Sequence, residues 1–209
     1  MSQHFILTGI GTEVGKTVAS AIVCEAMGWD YWKPVQAGDL HHTDSHKVDQ
    51  WTSENTKILT EAFRLNTPAS PHYAANIDGI NIQIEDISLP EHPKTILVEG
   101  AGGLMVPLNK DQNYIDLFQR WNKPVILVSR NYLGSINHTL LSVEALKNKG
   151  IPIAGILFNG PENPSTEEVI AHQTGTSILG RIPDLEVVNK STISAIAKQL
   201  KPQLDSLLK

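Results

Sequence analysis

Residues Gly9–Thr17 read Gly-Ile-Gly-Thr-Glu-Val-Gly-Lys-Thr, directly after the apolar run Phe5-Ile6-Leu7 and directly before Val18-Ala19-Ser20-Ala21-Ile22-Val23, which has the composition of a helix. Strand, glycine-rich loop and helix in that order form a phosphate cradle. Glycines let backbone N–H groups turn inward, the helix N-terminus adds its positive end, Lys16 reaches the β- and γ-phosphates, and the Thr17 hydroxyl suits Mg²⁺. Gly9 and Gly15 enclose five residues, one more than the common form of this loop, which marks a subset of such proteins. The expectation is a chain that handles ATP or a relative of it.

Short apolar runs recur at Phe5–Thr8, Tyr31–Pro34, Thr95–Glu99, Pro124–Ser129, Ile153–Phe158 and Ser177–Ile182. Between them lie helical patterns at Lys16–Met27, Asp44–Ser53, Tyr114–Trp121, Ser135–Lys149, Thr166–Thr174 and Thr192–Leu208. Nearly all-apolar strands alternating with helices specify an α/β fold, a mostly parallel sheet covered by helices on both faces, with ligands at the carboxyl ends of the strands. The terminal pattern from Ile193 to Leu208 is interrupted by Pro202 and carries few charges, so it reads as a core-packing helix and not a membrane-seeking one.

At 209 residues and 41% hydrophobic content the chain is of single-domain size, and one domain over residues 1–209 is expected. Seventeen basic against 22 acidic residues, net charge -5 and no Lys/Arg-rich run disfavour nucleic-acid or anionic-membrane partners. The single cysteine, Cys24, falls in the helix after the loop and reads as a small core residue. The N-terminal apolar segment His4–Leu7 is too short for an export signal, and no apolar stretch is long enough to span a bilayer, so a cytoplasmic location is expected.

Glu99 closes an apolar strand before Gly100-Ala101-Gly102-Gly103, which would place a carboxylate at the mouth of the sheet, where such an acid helps hold Mg²⁺. Asp44, on composition alone, reads as a helix N-cap. Lys33, at a strand end before Pro34, would set a point charge over the site, but spacing alone leaves a surface lysine equally open. His41, His42 and His46 beside Asp39 and Asp44 read as a solvated polar loop rather than a dedicated metal cluster.

Taken together, Gly9-x5-Gly15-Lys16-Thr17, Lys33-Pro34-Val35-Gln36-Ala37-Gly38, Ser70-Pro71-His72, Val98–Gly103, Leu133-Gly134-Ser135-Ile136-Asn137-His138 and Gly180-Arg181-Ile182-Pro183 closely resemble the dethiobiotin synthetases over nearly the whole chain. The resemblance implies a P-loop NTPase-like homodimer with ATP as co-substrate and Mg²⁺, which joins 7,8-diaminononanoate and CO₂ (or bicarbonate) into a ureido ring. It implies Lys16 and Lys33 as catalytic residues, and Thr17, Asp44 and Glu99 as metal contacts, which raises Asp44 above a mere cap. It further implies nucleotide contacts at Glu13, Val14, Gly15, Lys16, Thr17, Val18, Asp44, Glu99, Gly100, Ala101 and Gly102, with Asn159, Gly160, Pro183, Asp184 and Leu185 on the adenine side. Thr12, Lys33, Ala37 and Pro71 then fall to the substrate, whose carboxylate tail would be held across the dimer by the helix start at Gly134, Ser135, Ile136 and Asn137.

Two positions depart from the family pattern: Ala37 stands where a serine is often found, and Gly11 where some members carry an acid. Two other P-loop classes are disfavoured. Cobyrinic-acid-type amidoligases continue into a glutamine-hydrolysing domain, and partitioning-type switch ATPases carry an extra lysine early in the loop, where positions 10 to 14 here are Ile, Gly, Thr, Glu and Val.

Overall fold

Phe5 and Leu7 face one hydrophobic cluster and Ile6 the other, so β1 (Phe5–Gly9) is a strand buried on both faces, as its unbroken apolar run requires. The computed structural model describes residues 3–208. After β1 come α1 (Lys16–Met27), β2 (Asp30–Trp32), β3 (Val35–Ala37), α2 (Asp44–Trp51), β4 (Ile58–Leu59), β5 (Phe63–Leu65) and α3 (Pro71–Asp78). A 3₁₀ turn at Ile84–Asp86 leads to β6 (Ile96–Gly103), α4 (Tyr114–Trp121), β7 (Val125–Arg130), α5 (Ser135–Asn148), β8 (Ile153–Asn159), α6 (Pro164–Thr174), β9 (Ile178–Ile182) and α7 (Lys190–Leu204).

Seven strands form one sheet in the order β4-β2-β6-β1-β7-β8-β9, every pair parallel, and β3 pairs with β5 in a small separate sheet, also parallel. One face packs on α1 and α7, where Ile22, Val23, Ile193, Ala197 and Leu200 meet Leu7, Leu97 and Leu157. The other is filled by Trp32, Phe118, Trp121, Leu117 and Leu146 against Ile6, Ile96 and Val98. The expected α/β fold with helices on both faces is the one observed. No helix among the described residues is long and apolar enough to cross a membrane.

Local chemistry sets the helix ends. Gly28, at φ 66°, stops α1 in a conformation that side chains resist. Thr43 and His46 cap α2 reciprocally, and Asn189 and Thr192 do the same for α7. His46 thus serves the backbone, its Nδ1 accepting from Thr43 N–H at 3.2 Å.

Several boundaries differ from the sequence expectation. The second strand stops at Trp32, and Val35–Ala37 leave for the small sheet, because Pro34 has no N–H to continue the ladder. Gly100–Gly103, which the sequence places beyond the end of the strand at Glu99, continue β6. The final helix starts at Lys190 and gives way to a 3₁₀ turn at Asp205–Leu208 three residues past Pro202. Helix α3 and strands β4 and β5 had no sequence expectation.

Candidate active site

All strands of the main sheet run the same way, so their carboxyl ends share one edge, and the order reverses where β1 lies between β6 and β7. The loop Gly9–Thr17 leaves β1 at that point. Leu7 pairs with Glu99 in register, which sets the Glu99 carboxylate beside the root of the loop. Gly9 then pairs with Gly103, so β6 bulges between the two pairs. A Cβ on Gly103 would lie 3.4 Å from the Gly9 carbonyl oxygen, at the edge of ordinary contact.

Glu99 is fully buried and forms the hub of the site. Its Oε2 accepts from Ser20 Oγ at 2.7 Å and Tyr31 OH at 3.0 Å; its Oε1 accepts from Thr17 Oγ1 at 3.1 Å and Lys33 Nζ at 3.4 Å. Lys33 also donates to Asp44 Oδ2 and is itself 5% exposed, so the surface-lysine alternative left open by its spacing does not hold. Burial alone would lower its pKa, but Glu99 and Asp44 outweigh that and raise it, so Lys33 is a fixed cation. Burial would raise the Asp44 carboxyl; Lys33, with help from Lys47 and Thr17, brings it below the usual range. Burial and the Glu99 charge push the Tyr31 phenol well up, keeping it a donor.

Lys16 starts α1, and its Nζ donates to the Gly11 carbonyl at 2.8 Å. Burial pulls its pKa down to about 8, with Glu99 acting in the opposite sense. Gly15, at φ 89°, carries the chain into α1, and a Cβ there would overlap the Asn159 amide. That amide holds the loop from the far strand: Asn159 Nδ2 donates to the Val14 carbonyl at 2.9 Å. Glu13 has φ 58°, a conformation unusual for a residue with a side chain.

One cleft of about 520 Å³ is lined by Thr12, Glu13, Gly15, Lys16, Thr17, Val18, Lys33, Asp44, Glu99, Ala101 and Gly102, all expected from the sequence. Lys47 and Trp51 of α2 also line it and were not anticipated, nor were Ser20 and Tyr31 behind Glu99. Spacing holds a signal for the last two. Ser20 lies one turn beyond Thr17, and Tyr31 two residues before Lys33 on an extended chain, so each shares a side with a residue already singled out. Gly100 is packed differently from its neighbours, since a Cβ there would meet the Phe118 ring at 2.8 Å.

The remaining expected residues lie in separate groups. Asn159, Gly160 and Pro183-Asp184-Leu185 gather at the ends of β8 and β9, where Gly160 N–H donates to the Ile182 carbonyl and Asp184 accepts from Arg130 Nη2 at 2.9 Å. Ala37 is in β3 and Pro71 begins α3, both outside the residues lining the cleft. Gly134–Asn137 open α5, which does not reach the cleft of its own chain. Instead α5 contributes His138, Leu141, Ser142 and Ala145 to a neighbouring cavity of about 420 Å³ shared with Ile10, Gly11, Thr12 and Met105.

The oxygens of Thr17, Asp44 and Glu99 are hard donors of the kind Mg²⁺ takes, and these residues converge through Lys33 and the Thr17–Glu99 bond. Among the described residues no three His, Cys, Asp or Glu side chains form a metal cluster on their own. Two carboxylates and a hydroxyl fit a metal that completes its shell with phosphate oxygens and water.

Fold, loop and cleft define a P-loop nucleotide-binding domain. Solved structures of that class superpose on it: a ParA family ATPase from Chlorobium tepidum (TM-score 0.60, 15% identity, 100% of this chain and 98% of that one) and the septum site-determining protein MinD complexed with Mg-ADP from Pyrococcus horikoshii (0.57, 15%, 100% and 93%). At such identities the likeness is one of fold alone. A family model described as an AAA domain matches residues 3–192. ATP-dependent dethiobiotin synthetases align over nearly full length: 51% identity with that of Christiangramia forsetii (98% of this chain, 99% of the relative) and 48% with that of Rhodopseudomonas palustris strain BisB18 (95% of each). The chain belongs to the ATP-dependent dethiobiotin synthetase family.

Proposed function

We propose that this chain, as one domain, converts 7,8-diaminononanoate, CO₂ and ATP into dethiobiotin, ADP and phosphate. One substrate amine adds to CO₂ and loses a proton to give a carbamate. A carbamate oxygen attacks the γ-phosphorus and displaces ADP, forming a carbamic-phosphoric anhydride. The second amine then attacks the carbonyl carbon, phosphate leaves as the C–O bond breaks, that nitrogen loses a proton, and the ureido ring closes.

The observation that carries this reading is the pair of lysines on one cleft, Lys16 from the loop and Lys33 across from it, with Lys33 locked as a cation by Glu99 and Asp44. Carbamate and γ-phosphate repel each other, and fixed positive charge aimed at where they meet lowers the barrier without reorganising at the moment of reaction. Lys16 and the loop N–H groups hold the phosphates, Lys33 orients the carbamate oxygen, and Thr12, which lines both the cleft and the neighbouring cavity, sits where the two ligands meet. Mg²⁺, held by Thr17, Asp44 and Glu99, would neutralise charge on the triphosphate.

The reading includes a homodimer. Met105, Leu141, Tyr132 and Leu133 are exposed around the cavity of about 420 Å³ and the start of α5, and covering that face with a second copy supports placing Gly134–Asn137 of the partner subunit at the substrate carboxylate.

The experiment is incubation with 7,8-diaminononanoate, bicarbonate, Mg²⁺ and ATP, following dethiobiotin by mass alongside phosphate. Equal amounts of both are expected. ATP hydrolysis without ureido product refutes the assignment, and a monomer by sedimentation refutes the shared site.

A further inference from the structure

The two oxygens of Glu99 are held in different ways. Oε2 accepts from two hydroxyls, Ser20 and Tyr31, whose residues have no solvent exposure, whereas Oε1 meets Thr17 and Lys33 on the cleft side. Ser20 and Tyr31 lie behind the carboxylate and do not line the cleft. Both donors at Oε2 are neutral; the cation that meets this carboxylate, Lys33, does so at Oε1. The two donors come from different elements, Ser20 from α1 and Tyr31 from β2. One carboxylate therefore ties the helix that carries Thr17 to the strand that delivers Lys33.

We propose that Ser20 and Tyr31 are positioning residues: by saturating Oε2 they fix the rotation of the Glu99 carboxylate and present Oε1 alone to the divalent cation that accompanies the nucleotide. The inference rests on the Mg²⁺-nucleotide reading of the cleft. Mg²⁺ demands near-octahedral geometry at short distance, so a ligand free to rotate binds it worse. Loss of a partner behind a metal ligand typically lowers metal affinity about 10- to 100-fold. Tyr31→Phe keeps the ring in the core and removes only the hydroxyl; Ser20→Ala removes the other donor.

The test uses the full chain with ADP and Mn²⁺ as a spectroscopic substitute for Mg²⁺. Bound Mn²⁺ is titrated by electron paramagnetic resonance, and ADP affinity in EDTA is measured by calorimetry. Each single variant should bind Mn²⁺ about tenfold more weakly, and the double variant up to about a hundredfold, with ADP affinity in EDTA unchanged. In turnover, the Mg²⁺ concentration for half-maximal rate should rise while KM for 7,8-diaminononanoate stays put. Wild-type Mn²⁺ affinity in a folded Tyr31→Phe or Ser20→Ala variant overturns the proposal. So does unfolding of both variants at assay temperature, because the hydroxyls would then serve the core. If wild-type protein binds Mn²⁺ with ADP but makes no dethiobiotin, the functional reading falls and the resonance titration still judges this one.

Discussion

Replacing Lys33 by methionine keeps the aliphatic stem but leaves Glu99 and Asp44 facing each other without their cation. Breaking a buried ion pair from one side costs about 3–5 kcal/mol, because the surviving charge stays desolvated. Glu99 is fully buried, but the Asp44 side chain is 22% exposed, which admits water and places the loss near the lower end, about 3 kcal/mol. For a domain of this size that is a fall of roughly 6–12 °C in Tm. The double variant Lys33→Met/Asp44→Asn removes one of the stranded charges and should recover about 1 kcal/mol or more of the loss. Urea unfolding at pH 7 of wild type, both single variants and the double variant closes the cycle. In parallel, dethiobiotin formation by Lys33→Met should drop about 10²- to 10³-fold, the usual cost of deleting one preorganised group aimed at developing charge. Additive stability losses, within about 0.5 kcal/mol, would refute the ion-pair account; near-normal turnover would refute the catalytic one.

Gly15→Ala should abolish tight ATP binding and cost about 1–3 kcal/mol, since φ 89° and the Asn159 amide both exclude a Cβ; calorimetry with ATP and thermal unfolding check it. Burial would raise the Glu167 carboxyl, but the Asn163 N–H, Arg181 and Asn131 hold it below its ordinary value. Its contribution is therefore present above about pH 4.3 and lost as pH falls through the lower folded value. Glu167→Gln should cost about 1–2 kcal/mol at pH 7 and progressively less under acid, and a gap independent of pH would contradict this. Arg130 and Asp184 are too exposed for their pair to exceed about 1 kcal/mol. Arg130→Ala should thus leave Tm nearly unchanged; if Gly160 contacts adenine, as the family resemblance implies, it should raise KM for ATP, because Arg130 lies beside Gly160.

Where the chain repeats a physical pattern, its sequence reveals the structure. The loop Gly9–Thr17, the buried strands and the amphipathic or capped helices were legible because side-chain period and turn chemistry agree along each segment. Strands β3, β4 and β5 were not, since two or three residues cannot display a period, and their pairing is set by partners distant in sequence. By composition Gly100–Gly103 lie beyond the end of the strand; instead they continue it, and Gly100 and Gly102 leave room for Phe118 and Val106. At the site, residues facing the cleft were found through motif and resemblance. Tyr31 was hidden because a tyrosine in an apolar strand looks like core packing; its two-residue spacing from Lys33 is a weak signal, and its hydroxyl contact with Glu99 shows the role.

Of the four tryptophans, Trp29, Trp32 and Trp121 are sealed in the core, whereas Trp51 is half-buried on the wall of the cleft beside Lys47. The molecule therefore carries its own optical reporter. Three indoles supply a steady emission background while the fourth stands where a ligand changes its surroundings, so occupancy of the cleft can be followed by intrinsic fluorescence without a label.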